Sequence, residues 1–458
     1  MTQRKKVGRD LTQGSVLKNL MLFALPIILT NLIQQLYSMV DLMVIGQYVG
    51  NAGTSGVSIG GEVSDFLTPV ATAFATAGQI VIAQLAGAKR HEEQREVIGS
   101  FLTLMMAVSF GFTVLILLLR APLLSVLNCP PEAYGQAMDY LVITACGLPF
   151  IFGYNAVCGI LRGMGDSRRP LLFISVAATA NIVLDLLLVA VFRLEAAGTA
   201  IATVASQLAS FIAAFVCLYR NKEAFRLEFN REFFHIRKDP TVVILKLGLP
   251  QACRTILVRF SMLWVNANVN AYGLVESSTN AIGNKLQKFL EIYSQSLSQA
   301  GGAMVGQNLG AKAHDRAKKT VYWTCLTCLI FATFVSILVY FFPKQVFGIF
   351  TNDPAVLEMG VDYLYIMIIH FYASAVTSSF QCMVIGAGNA TLNFIIGIMD
   401  GIICKIGLSL IFLGTMNLGV YSYFWGTALS RIIPGIICII YFIRGTWKNA
   451  NVLRAKKA

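Results

Sequence analysis

Apolar runs long enough to cross a bilayer recur along the whole chain, each ended by charged residues or by Gly/Pro breaks. They predict twelve helices, near residues 16–46, 53–85, 97–119, 137–161, 169–192, 196–219, 241–272, 278–306, 320–342, 358–385, 391–414 and 418–443. A crossing takes about 20 mostly apolar residues, and every run meets that length. The connections left over are too short for a nucleotide-binding or catalytic domain. Whatever the protein does, it does inside its helices.

Composition agrees with the pattern. Of 458 residues, 56 % are apolar and 13 % charged, and the mean hydropathy is +0.67. An average soluble domain is about 25 % charged, so a soluble enzyme and a disordered chain are both excluded. No G-x-x-x-x-G-K-[ST] phosphate loop occurs, which argues against direct ATP drive. The four histidines, His91, His235, His314 and His370, are scattered, with no H-E-x-x-H or Cys-His cluster. Nearly all of the ten cysteines lie in apolar runs, including the C-x-x-C of Cys325 and Cys328, and imply packing rather than a disulfide framework or a redox site. No enzyme activity, metal, cofactor or nucleic-acid partner is expected, and a monomer in contact with lipid is. The N-terminus shows no cleavable leader, so the first span is expected to be retained.

The formal charge of +13 is a topology signal. With the N-terminus placed in the cytoplasm, 25 lysines and arginines fall in cytoplasmic segments, and only Arg120, Arg193 and Lys344 on the other side. This bias satisfies the positive-inside rule and predicts both termini inside a cell's inner (plasma) membrane.

The chain also repeats itself. Leu25-Pro26 recurs as Leu249-Pro250, while Gln84, Gly87, Ala88 and Lys89 recur as Gln307, Gly310, Ala311 and Lys312. Pro131 recurs as Pro354, Asp139-Tyr140-Leu141 as Asp362-Tyr363-Leu364, and Gly163-x-Gly165 as Gly386-x-Gly388. After the first pair each offset is 223 residues. Six spans per half return the chain to its starting side, so the repeats are parallel. The expected fold is an all-α polytopic membrane protein: an N-lobe at 1–219, a basic cytoplasmic linker at 220–240, and a C-lobe with a short tail at 241–458. Two similar lobes suit an alternating-access carrier.

An ionisable side chain inside a span costs about 2.5–3.5 kcal/mol on insertion scales, so each needs a partner, water or a role. Span 1 carries Asn31, Gln34, Tyr37, Ser38 and Asp41 at spacings of three and four. Span 5 carries Asn181 and Asp185 on one helical face. Asn155 in span 4 and Thr203 in span 6 are positioned to complete an oxygen-rich pocket. Two carboxylates held away from water would be relieved by a proton or a hard cation such as Na⁺.

Taken together, Ala24-Leu25-Pro26, the run from Val40-Asp41 to Gly46, Ile82-Ala83-Gln84 through Lys89, Arg162-Gly163-x-Gly165-Asp166, Asn181 with Asp185, and the doubled six-span plan resemble the MATE family of multidrug and toxic compound extrusion transporters, in the MOP flippase superfamily. The resemblance covers almost the whole chain. It implies a V-shaped twelve-helix antiporter that exports amphipathic, often cationic compounds in exchange for H⁺ or Na⁺. It also implies that Gln34, Tyr37, Asp41, Asn155, Asn181, Asp185 and Thr203 hold the coupling cation, and that span 1 bends at Pro26. The branches that couple through the C-lobe carry acids in spans 7 and 10. Here span 7 has Arg254 and Arg259, and span 10 has His370, so the burden is expected to fall on Asp41 and Asp185.

The second half has its own charges: Lys285, Lys288 and Glu291 in span 8, Asp400 and Lys405 in span 11, and Arg431 opening span 12. The repeat makes Lys285 and Lys288 the counterparts of Glu62 and Asp65, which suggests an interlobe gate; pairing within one lobe, as of Lys288 with Glu291, is the alternative. Arg259, Asn266, Glu291 and His370 are candidates for a substrate cleft. Two alternative functions are a flippase for lipid-linked oligosaccharides and an exporter of anionic or zwitterionic metabolites through the basic C-lobe.

Overall fold

A computed structural model describes residues 8–223, 225 and 227–449. Arg4, Lys5, Lys6, Arg226, Arg454, Lys456 and Lys457 of the charge count above lie outside them. The described residues are helical almost throughout, as lipid requires of a chain that must satisfy every backbone N–H and C=O internally. The first half comprises α1 (Val16–Tyr48), α2 (Gly50–Gly87), α3 (His91–Val126), α4 (Pro131–Gly163), α5 (Arg168–Asp185) and α6 (Glu195–Arg220). The second comprises α7 (Lys238–Asn270), α8 (Leu274–Gly310), α9 (His314–Phe341), a short α10 (Pro343–Gly348) and α11 (Pro354–Gly386). Then α12 (Ala390–Ile398) and α13 (Gly407–Met416) make the eleventh span, and α14 (Tyr421–Leu429) and α15 (Ile432–Arg444) the twelfth.

Among the described residues, eleven of the twelve spans are long and apolar enough to cross a membrane. The exception is α8, which at 37 residues has the length but carries Glu276, Lys285, Lys288 and Glu291. Arg431 does not open the twelfth span, as the sequence suggests; it stands midway along it, between α14 and α15. Proline and aspartate set several helix starts. Pro131 and Pro354 occupy first-turn positions that need no N–H donor, and Asp353 caps α11 by accepting from the amides of Ala355 and Val356.

Two spans widen into π-helix, at Leu186–Val191 directly after Asp185 and at Met399–Ile406 around Asp400 and Lys405. Such widenings are uncommon and gather at functional sites.

The chain divides into two packed units. One takes residues 8–10 and Leu25–Gly248, the other Leu11–Ala24 and residues 249–449. In the N-terminal unit α2 and α4 form the centre, each with 72 % of its most apolar stretch buried, against 22 % for α3. Small residues let the two backbones close: a Cβ on Gly163 would meet the Gln79 carbonyl oxygen at 2.8 Å. In the C-terminal unit α8 and α11 are central, and a Cβ on Gly386 would meet the Gly302 carbonyl oxygen at 2.7 Å. Both contacts obey the 223-residue offset, so the repeat extends to packing. Outward-facing residues such as Leu118, Leu172, Ile330 and Ile443 are exposed, as helix faces turned to lipid would be.

Candidate cation-binding site

A carboxylate inside an apolar helix demands compensation from its neighbours, and Asp185, at the end of α5, is fully buried. Asp41 lies in the last two turns of α1. The two carboxyl groups lie against each other, near enough to hydrogen-bond when one carries a proton. Among the described residues no hydrogen-bond donor reaches Asp41 Oδ1 or either oxygen of Asp185. Asn181, one turn before Asp185, is 1 % exposed, and both its amide atoms lack partners. On α6, packed against α5, the hydroxyls of Thr199 and Thr203 are also buried and unpartnered.

Buried polar atoms without partners are few in folded proteins. Here seven such atoms, six of them oxygens, belong to three helices of one unit. Two facing carboxyl groups without a donor call for a positive charge between them, and the spare hydroxyl and amide oxygens suit either a proton or a small hard cation.

Of the remaining sequence candidates, Tyr37 lies within electrostatic reach of Asp41. Gln34 is half-buried two turns before Asp41. Asn155 is occupied locally: its amide donates to the Ile151 carbonyl at 2.8 Å and accepts from Thr72 Oγ1 at 3.4 Å. Pro26 stands where α1 passes from one packed unit to the other. Tyr140 and Thr199 were missed. Tyr140 sits close to Asp41, Asp65 and Asp185, and its place in the repeated Asp-Tyr-Leu was the available signal; Thr199 is one turn before Thr203. Glu62 and Asp65 are exposed on α2 in the N-terminal unit, and Lys285 and Lys288 are exposed on α8 in the other.

The C-terminal unit contains a second set of buried charges. His370 Nε2 lies 2.7 Å from Glu291 Oε1, and Arg431 Nη2 lies 3.6 Å from the same oxygen. Arg431 Nε is 3.6 Å from Asp400 Oδ2, and Arg431 Nη1 donates to Ser374 Oγ at 2.8 Å. Glu291 therefore pairs with His370 and Arg431, while Lys288 is exposed. Arg259 is exposed on α7, and Asn266 Oδ1 accepts from Asn280 at 2.8 Å and Asn284 at 3.0 Å.

A family model for MatE matches residues 26–187 and 250–411, one match per repeat. The chain is 25 % identical to the probable multidrug resistance protein YpnP of Bacillus subtilis over 455 residues, which is 98 % of this chain and 99 % of the relative. It is 24 % identical to the probable multidrug resistance protein NorM of Thermotoga maritima, covering 96 % and 95 % of the two chains. Among solved structures, MATE in complex with MaL6 superposes with a TM-score of 0.91 at 19 % identity, over 98 % of this chain and 100 % of that one. A MOP superfamily transporter from Pyrococcus furiosus superposes at 0.90 and 18 %, over 98 % and 100 %. The fold, the doubled match and these full-length likenesses place the chain in the MatE family, as a multi-pass membrane transporter rather than an enzyme.

Proposed function

We propose that the protein is a secondary active exporter of amphipathic, mainly cationic organic compounds, exchanged for H⁺ or Na⁺ by alternating access across the plasma membrane, with both termini in the cytoplasm. The names of the relatives support multidrug export, and the observation that carries the coupling is the Asp41–Asp185 pair with its unpartnered oxygens. Substrate enters from the cytoplasm or inner leaflet and is carried outward. A cation from outside then binds between the two carboxyl groups, draws in the oxygens of Asn181, Thr199 and Thr203, and lowers affinity for the substrate. Coupling requires ion and substrate to favour different states, because equal affinity for both shifts nothing. Moving one charge through 100 mV supplies about 2.3 kcal/mol, before any concentration gradient is added.

The test is uptake of ethidium into proteoliposomes under an imposed pH or Na⁺ gradient. Wild type should concentrate the dye. Asp41→Asn and Asp185→Asn should each lower gradient-driven uptake at least about tenfold, equivalent to about 1.4 kcal/mol. Normal accumulation by both variants would remove the proposed site.

A further inference from the structure

The ring of His370 is held by acceptors on both sides. Nδ1 lies 3.1 Å from the carbonyl oxygen of Thr427, which can only accept, so Nδ1 carries a hydrogen. In a neutral ring Nε2 would then be a bare lone pair, 2.7 Å from Glu291 Oε1. Two lone pairs at that distance repel, so the contact requires a proton between them, on the ring or on the carboxyl group. A third group stands ready for its loss. Gln287 Nε2 is 3.0 Å from His370 Nε2 and 3.1 Å from Glu291 Oε1, so its amide can donate to whichever atom the proton leaves.

The surroundings make this proton consequential. The charged groups nearest the pair, among the described residues, are Arg431 between α14 and α15 and Asp400 and Lys405 on the π-helical segment, while Arg254 on α7 faces Asp400 and Arg431. The apolar Phe331, Ala332 and Val335 of α9 line the cavity beside Glu291, and the Tyr363 hydroxyl also faces Glu291. Two arginines and a lysine thus stand against two carboxylates, and the extra proton adds a charge the cluster does not otherwise balance. A small cavity touches Glu291, Ser294 and Ser374, with room for about one water molecule to take the proton. Arg431 stands 3.6 Å from each carboxylate.

We propose that His370 and Glu291 form a second proton-binding site, lodged in the C-terminal unit and distinct from the Asp41–Asp185 pair, in which one exchangeable proton is shared between Nε2 and Oε1. When the proton is present, Glu291 is matched by the ring and Arg431 is left to Asp400. When it departs to water, Gln287 donates to the bare nitrogen and Arg431 is drawn to Glu291. One proton therefore decides whether α8 or the π-helical part of the eleventh span holds the arginine.

The chain's four histidines make the test direct. Protein labelled with ¹⁵N-histidine is reconstituted in nanodiscs, and its ring nitrogens are followed by NMR between about pH 5 and pH 9. His370→Gln assigns the resonance by its disappearance. The expected result is a ring protonated on both nitrogens at the acid end, becoming an Nδ1–H ring as the pH rises. In Glu291→Gln the doubly protonated form should be lost over the same range, and Asp41→Asn should leave it in place. If His370→Gln fails to fold, His91→Gln, His235→Gln and His314→Gln together leave His370 as the one labelled ring, and its spectrum decides the matter. A ring with one hydrogen at every pH, or with two and no exchange, overturns the proposal. Either result leaves the Asp41–Asp185 reading untouched, since that rests on dye uptake.

Discussion

Lys89 and Lys312 hold backbone positions that usually go to glycine. Both have φ of 57°, at matching points of the two repeats, where the chain leaves a long helix and turns into the next. A side chain in this left-handed region costs about 1–2 kcal/mol. Lys89→Gly and Lys312→Gly should each raise the stability of the detergent-solubilised protein, by up to about 1 kcal/mol after the greater freedom of glycine in the unfolded chain is subtracted. A lower midpoint in thermal unfolding for both would mean that the lysines make contacts outweighing the strain. At this scale the sequence is legible where a residue is out of place. Asp41 and Asp185 stand out because acids in apolar runs are costly, and their helices bring them together. The partners of Glu291 were not legible. His370 and Arg431 lie 79 and 140 residues further on, on other helices, and no spacing rule links them.

Helices were the easiest elements to read, because an apolar run in lipid has few alternatives. The predicted span at 169–192 is observed as α5 with its π-helical extension, Arg168 to Val191. The π-helical widenings themselves had no signal: one follows the buried Asp185 and the other holds the buried Asp400 and Lys405, but no local sequence rule marks either. The same holds for the break in the twelfth span at Arg431, whose side chain serves groups on three other helices. Where close packing governs, glycine is diagnostic. Gly386→Ala should destabilise the protein by about 1–3 kcal/mol, because the new methyl group would fall on a backbone carbonyl and on Val305, and backbone cannot step aside. Gly111→Ala, inside α3 with nothing near it, should instead raise stability by up to about 1 kcal/mol in the same unfolding assay.

Across the whole molecule, the duplication copied the scaffold and left the buried charges single. Gly163 and Gly386 keep the same helix contact, but the offset sets Leu408 opposite Asp185, Gly147 opposite His370 and Leu208 opposite Arg431. Each half has thus acquired its own buried chemistry on shared architecture. If the proposed orientation is right, green fluorescent protein fused after residue 449 should fluoresce in whole cells, and alkaline phosphatase fused there should be inactive. The opposite result would invert the direction of transport argued above.

The reciprocal assignment of the leading helices bears on how the gene can be divided. Leu11–Ala24 packs with the C-terminal unit, and the first turns of α7, up to Gly248, pack with the N-terminal one. A cut in the link between Arg220 and Lys238 would give two polypeptides, each missing a piece of its own core and holding a piece of the other's. Produced alone, either fragment should be degraded; produced together, they should rebuild each other.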